Sequence, residues 1–393
     1  MSVDIAHIRQ QNNNHYSDEL SIIRITNHAT SRRRQVGDNL SEDLMSKEIS
    51  RRNIIKRIPL LAGGALLSQS LLSSAMAAPS SALPAATRKG AFTDAGASLD
   101  KSLISYYQVP MQKRLKINEK GIQGKPYAEF FDSNLDAPVE MIRALEQGPL
   151  AKEHILQPTK AGLKTLLERF DEFPVSGYAV VEDGGPCAYA QSRHIFPGVT
   201  TEMFKWWFCW HPIESERYYL WFPHAHIHNS VVDPKRLADT RLSYAERLYG
   251  NPNHITEYIG DNYLDGVIHF NAPESFGVES ELLKKHRFTF NASGIITPYD
   301  AQSTPLVLMI HLGRDTPQGM EMVNRYWIGT HESWDRFDKF PDGGKRSREY
   351  IAKAGMTKAS LEGFAYEMAV HDMTEFSSLG RFLPEIYARF GNS

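Results

Sequence analysis

The sequence predicts an α+β fold: a mainly antiparallel sheet closed by one long C-terminal helix. From about Gly177 to Ile328, runs of β-branched and aromatic residues alternate with Gly, Pro and Asn turns, which is the patterning of strands. From Ser360 to Leu383 the period is helical, with Phe364, Met368, Leu379 and Phe382 on one stripe. No internal repeat, Walker loop or GxGxxG opening a helix interrupts that plan. The 393 residues can bury a sizeable core in one or two domains, and 41% hydrophobic with 23% charged residues is a globular composition. A net charge of −2 gives no electrostatic reason to expect nucleic acid or an anionic membrane. Only Cys187 and Cys209 occur, without a CxxC, so neither a disulfide framework nor a thiolate zinc site is available.

Taken in order, residues 1–49 are polar and aperiodic, and read as a disordered or untranslated extension. Residues 50–78 carry Arg51-Arg52, an apolar small-residue run from Ile58 to Met76 and an Ala75-Met76-Ala77 cleavage pattern, which match a twin-arginine export signal. Pro59, Gly63, Gly64 and several serines make that run too weak for a stable membrane span. A basic linker followed by an amphipathic helix is the alternative, and it would leave the protein cytoplasmic rather than periplasmic or secreted. Met45 is the expected start, because it opens an n-region of ordinary length. Residues 79–104 are an Ala, Ser and Pro-rich linker. Residues 105–174 are helical, with Leu145, Leu150, Leu163, Leu166 and Leu167 as apolar markers and breaks at Gly148-Pro149 and Gln157-Pro158, and form a small lead-in domain. Residues 175–393 are the sheet-and-helix domain. Its strand candidates are Tyr178–Glu182, Ala188–Ala190, Tyr218–His228, Glu257–Ile259, Val267–Phe270, Leu306–Leu312 and Met320–Ile328. Phe204–Trp210 is aromatic enough to be either a strand or a buried helical turn. Thr357 is the expected N-cap of the last helix and Pro384 its stop.

On that helix His371 and Glu375, four residues apart, fall on the apolar stripe, while Glu362, Ser377 and Arg381 point away. An ionisable pair turned towards a core costs several kcal/mol unless it is paired or holds a metal. The plainer reading is an ordinary i, i+4 pair worth tenths of a kcal/mol. In the stretch Leu220 to Asn229, strand alternation puts His224, His226 and His228 on one face, as a metal site or a solvated edge. Glu257 opens an apolar strand, and His311 sits inside one as either a structural or a catalytic imidazole. No GxSxG elbow or convincing serine or cysteine nucleophile is present, which favours a metal-activated water. The 17 Tyr, 19 Phe and 6 Trp suit a pocket for a planar ring, though such residues also fill cores.

The run from Met203 to His226 closely resembles the bacterial diacetylphloroglucinol hydrolases and the related phloretin hydrolase. The resemblance continues through Pro110–Lys113, Lys125–Ala128, Glu246–Gly250, Glu257–Asp261, Arg325–Trp327 and Tyr366–Phe376, hence nearly everything from about residue 105 onward. It implies a Bet v 1-like helix-grip catalytic domain, an N-terminal helical part used in homodimerisation, and one zinc ion per chain. The implied ligands are His226, Glu257, His371 and Glu375. Tyr218, Asn229 and Tyr326 match residues that hydrogen-bond the ring hydroxyls, and His311 matches a catalytic histidine. His224 and His228 stand where the family pattern has Tyr and Ser, and the export signal lies outside that pattern.

The implied reaction hydrolyses the carbon–carbon bond between an acyl group and a phloroglucinol ring, as in 2,4-diacetylphloroglucinol or phloretin. The leaving group would be an aryl carbanion unless the ring is first protonated. His311 is therefore the expected acid–base, with Tyr218, Asn229 and Tyr326 steadying keto or enolate oxygens. Glu257 or Glu375 would guide the water. The alternative function is a non-catalytic helix-grip protein that binds planar aromatic ligands.

Overall fold

The computed structural model describes residues 100–391. The extension at 1–49, the signal segment at 50–78 and the linker as far as residue 99 lie outside the described residues. Two short strands, β1 (Lys101–Leu103) and β2 (Asp136–Pro138), pair antiparallel, so the last linker residues are a strand. The large sheet holds β3 (Ser176–Val181), β4 (Cys187–Phe196), β5 (His226–Val231), β6 (Asn253–Ile259), β7 (Asn262–Phe270), β8 (Phe290–Asn291), β9 (Gly294–Pro298), β10 (Val307–Thr316) and β11 (Gly319–Gly329). Its order is β3-β4-β11-β10-β9-β7-β6-β5, with β8 on β10 and every pairing antiparallel. The helices are α1 (Val109–Gly121), α2 (Val139–Glu146), α3 (Lys160–Glu168), α4 (Thr201–Trp210), α5 (Ser215–Trp221), α6 (Pro234–Ala238), α7 (Tyr244–Leu248), α8 (Ser280–His286), α9 (Gly343–Lys353) and α10 (Lys358–Phe390). The expected α+β layout, a large antiparallel sheet with one long C-terminal helix, is present.

Strand alternation decides which side chains meet that helix. On β10, Val307 and Met309 join the core between the sheet and α10, whereas Leu308, Ile310 and Leu312 join a second core on the opposite face. His311 therefore belongs to the α10 side. On β11 the same parity sends Met322, Tyr326 and Ile328 towards α10, and Val323 and Trp327 away from it. The second core is completed by Leu163, Leu166, Leu167 and Phe170, and the Trp327 indole donates to the Leu156 carbonyl at 2.7 Å. Gly319 closes the β10–β11 hairpin at φ 121, where an added Cβ would lie 2.1 Å from the Phe196 carbonyl oxygen.

Helix α10 begins where expected. Thr357 accepts from the Ser360 N–H and Ser360 Oγ answers the Thr357 N–H, a reciprocal cap. It does not stop at Pro384 but runs on to Phe390. Proline removes one helical hydrogen bond, yet Leu383 and Ile386 on either side are fully buried, and that packing carries the helix through. Ser377 is buried rather than outward-facing, because residues 100–146 cover the far side of α10. Arg381 there lies 3.4 Å from Asp132 and donates to the Asn134 carbonyl at 2.9 Å.

The largest departure is at Tyr218–His228, expected as one strand. Ser215–Trp221 is helix α5, a turn follows, and β5 starts only at His226. Trp221 of this stretch packs against Trp207, Phe208 and Phe376 from the helical side. Phe204–Trp210 is likewise a buried helix, capped by Thr200.

Candidate active site with a metal-binding cluster

Sheet register and helical spacing together gather four ionisable side chains. His226 opens β5 directly opposite Glu257 on β6, and His371 and Glu375 face them from successive turns of α10. His226 Nε2 lies 3.4 Å from an oxygen of Glu257 and 3.4 Å from one of Glu375. His371 Nε2 lies 3.9 Å and 3.6 Å from those same oxygens. Ligand atoms of His226, His371 and Glu375 fall within 4.8 Å of one another; Glu257 is the outer member, held by the Tyr218 hydroxyl at 2.5 Å. Asn118 of α1 braces the turn before β5, donating to the carbonyls of Pro223 and His226 at 2.8 Å each.

This donor set fits a divalent cation. His226 Nδ1 donates to the Tyr218 carbonyl at 3.0 Å, which fixes the tautomer and leaves Nε2 with a lone pair. That Nε2 is fully buried and has no hydrogen-bond partner. Burial, then the neighbouring His371, pushes the His226 imidazole well below its ordinary range, and burial lowers His371 too. Burial pushes the Glu375 carboxyl well above the usual carboxylate range, with the negative Asp372 adding to it. Glu257 is raised by burial, with His371 opposing and Glu375 reinforcing. Two neutral imidazoles and two carboxyls that resist ionising together in a dry site are what a cation resolves. Two nitrogens and two oxygens suit zinc without excluding other divalent ions.

Glu257, His371 and Glu375 of the cluster line a cavity of about 730 Å3, part of it open to solvent. Its wall includes Tyr218, Asn229, His311 and Tyr326, interspersed with apolar side chains such as Leu264, Met309, Phe364 and Met368. A second buried network stands behind the wall. Asp372 accepts from Asn324 Nδ2 and the Tyr326 hydroxyl at 2.7 Å each, and meets His194 Nε2 at 2.8 Å. Asn324, directly opposite His311 in the β10–β11 register, faces His311 Nδ1 with its carbonyl oxygen at 2.7 Å. His311 Nδ1 therefore carries the proton, and Nε2 is the nitrogen left for the cavity. Burial lowers the His311 imidazole to about 4, so it is neutral near pH 7. Burial would raise Asp372, but the facing His194 and the hydrogen bonds the carboxyl accepts together hold it below its ordinary value.

The family profile of the DAPG hydrolase PhiG domain matches residues 156–388. The chain belongs to the DAPG hydrolase family. It is 42% identical over 288 residues to the 2,4-diacetylphloroglucinol hydrolase of Pseudomonas protegens, covering 73% of this chain and 92% of that one. A Pseudomonas sp. protein of the same name matches at 42% over 288 residues, 73% of this chain and 96% of its own. The phloretin hydrolase of Eubacterium ramulus is 27% identical over 265 residues, 67% of this chain and 89% of its own.

This DAPG hydrolase family member departs from the expected histidine triplet. His224 lies in the turn before β5 and stacks on Tyr107 at 3.6 Å; a bulge between His226 and His228 breaks the alternation. His228 pairs instead with Ser215 and Ser230, at 2.7 and 2.9 Å. The tyrosine hydroxyls also differ from expectation. Tyr218 donates its proton to Glu257 and Tyr326 donates to Asp372, so neither proton is free for a keto or enolate oxygen. Sequence reading missed Asp372, Asn324, His194 and His211. The available signal for Asp372 was its place beside His371 on an otherwise buried helix; Asn324 could have been found by parity with Tyr326.

Proposed function

We propose that this chain hydrolyses the carbon–carbon bond between an acyl group and a phloroglucinol ring, with one zinc ion held by His226, Glu257, His371 and Glu375. The observation that carries the reading is convergence. Glu257, His371 and Glu375, with His226 packed against them, line a cavity whose wall also brings His311, Tyr218, Asn229 and Tyr326 together, in a family whose relatives are named for cleaving such substrates. A bound ion supplies Lewis acidity at the acyl carbonyl and an acidified water.

The residues around it handle protons. His311 Nε2, unprotonated near neutral pH, takes a proton from a ring hydroxyl and returns it to the acyl-bearing ring carbon. The ring is then a β-diketone. Water adds to the acyl carbonyl, the carbon–carbon bond breaks, and its electron pair passes into the ring keto oxygen, so no aryl carbanion forms. The products are a carboxylic acid and the deacylated phenol, which together account for one substrate and one water. Tyr218 steadies Glu257 through its hydroxyl, and the apolar residues of the lining seat the acyl arm and keep bulk water away.

The finer architecture follows the same reading: a helix-grip catalytic domain from about residue 175, a helical part at 105–174 used in homodimerisation, and twin-arginine export directed by residues 50–78. Sequencing the mature N-terminus tests the last of these, and cleavage after Ala77 is the expected result. The direct test of function is to incubate purified protein with diacetylphloroglucinol and with phloretin, with and without chelator. Acid release that stops on chelation and returns with zinc is expected. Aromatic ligands that bind without any acid release would instead make the protein a binding module.

A further inference from the structure

We propose that His211 and Asp372 are positioning residues that fix the hydrogen-bonding polarity of the cavity wall, so that the site takes its aromatic ring as a donor, in the neutral polyhydroxy form. The inference rests on the acylphloroglucinol reading and adds which form of the ring is bound and what enforces the choice.

The argument is a chain of forced directions. His211 sits at the end of α4, where its Nδ1 lies 2.8 Å from the Trp207 carbonyl. A carbonyl only accepts, so Nδ1 carries the hydrogen and Nε2 presents a lone pair. Asn229 Nδ2 lies 3.2 Å from that Nε2 and must donate to it; the opposite amide orientation would set two acceptors face to face. Asn229 Oδ1 is left buried without a partner, in a residue that lines the cavity. On the other wall Asp372 performs the same office twice. By accepting from Asn324 it turns the Asn324 oxygen to His311 Nδ1, which leaves His311 Nε2 as an acceptor. By accepting the Tyr326 proton it leaves the Tyr326 oxygen with lone pairs only, as Glu257 does for Tyr218.

Four polar groups thus present lone pairs to one cavity: the Tyr218 and Tyr326 oxygens, Asn229 Oδ1 and His311 Nε2. Among the lining side chains the Trp221 indole N–H, which has no partner, remains as a donor. A ring with several hydroxyl groups supplies what this wall lacks. An O-alkylated ring, or one held as its phenolate, would set acceptor against acceptor and leave buried lone pairs unmet. Apolar walls discriminate weakly by size, whereas a buried acceptor that loses its donor rejects strongly. The polar groups of the wall therefore select hydroxylation pattern, and its apolar residues are left to admit the acyl arm.

The test measures binding of phenols with no acyl group, so it does not depend on turnover. The metal-loaded full chain is titrated calorimetrically with 1,3,5-trihydroxybenzene, 5-fluororesorcinol, 5-aminoresorcinol and 5-methoxyresorcinol. Replacing one hydroxyl by fluorine removes a donor without adding bulk and is expected to weaken binding roughly tenfold. The amine still donates and is expected to stay within a few-fold of the triol, while the methyl ether falls with the fluoride. A fluoride that binds as well as the triol, or an amine that loses as much as the fluoride, overturns the proposal. In His211→Phe the Asn229 amide is free to turn, so the triol-to-fluoride gap narrows while metal content is unchanged. Asp372→Asn, with one acceptor oxygen in place of two, narrows the same gap from the other wall. A gap unchanged in both variants removes the positioning roles. The two readings fail separately: hydroxyl discrimination without acid release sinks the hydrolase, and acid release without discrimination sinks the acceptor wall.

Discussion

Two buried polar clusters meet on adjacent residues of α10, and they are built in opposite ways. Asp372 has three partners, a histidine, an amide and a tyrosine, at 2.7 to 2.8 Å, and each is itself anchored in the sheet. His371, one residue earlier, joins a second imidazole, His226, and the two imidazoles stand 3.4 to 3.9 Å from the Glu257 and Glu375 carboxyls, with His226 Nε2 lacking any hydrogen bond. Burial is comparable in the two. What differs is completeness: the Asp372 network satisfies its own hydrogen bonds, whereas the His371 cluster gathers ligand atoms around a common centre that protein groups do not satisfy. A buried polar network is stabilising only when complete, so an incomplete one points to a component from outside the chain.

Removing one member of each cluster should therefore give different losses. His371→Ala should abolish zinc retention and lower acid release by about a thousandfold or more, read by metal analysis and product assay. Asp372→Ala strands three buried partners and should cost about 3–5 kcal/mol in urea denaturation while the ligand set stays whole. Destabilisation by both with metal loss from neither would erase the contrast. His311→Ala keeps its metal and should lose about 10²–10⁴-fold in rate. Unchanged kinetics there would exclude the proton-shuttle role.

The smallest effect is in the pH dependence of stability. Burial holds His211 near 3 and His311 near 4, below an unfolded value of about 6.5. The unfolded chain takes up protons that the folded chain refuses. Their contribution is thus present above about pH 6.5 and is lost as pH falls towards the folded values. Melting temperature should fall on acidification from pH 7 to 4, and His211→Phe should fall less steeply. A steeper fall in that variant would contradict the assignment.

Much of this was legible beforehand, for identifiable reasons. The α10 stripe, its Thr357 cap and the strands β3, β4, β6, β7, β10 and β11 follow from period and turn chemistry, which are local, whereas the short β8 and β9 lie outside every strand candidate. The inward pair His371 and Glu375 was visible because four residues is nearly one helical turn. The convergence of His226 and Glu257 was not visible from spacing alone, since it depends on the β5–β6 register; the family resemblance supplied it. Helix α5 was mistaken for strand because its bulky aromatic residues mimic strand composition while their packing is helical. His211 and Asp372 escaped because their meaning lies in hydrogen-bond direction, which depends on partners far away in sequence.

The claim that the His371 cluster is completed by a cation is tested most directly by counting metal in protein purified without chelator. The account predicts about one zinc per chain in the parent protein and in Asp372→Asn, and next to none in His371→Ala. Parent protein that releases acid from diacetylphloroglucinol at full rate while carrying no divalent metal would contradict it.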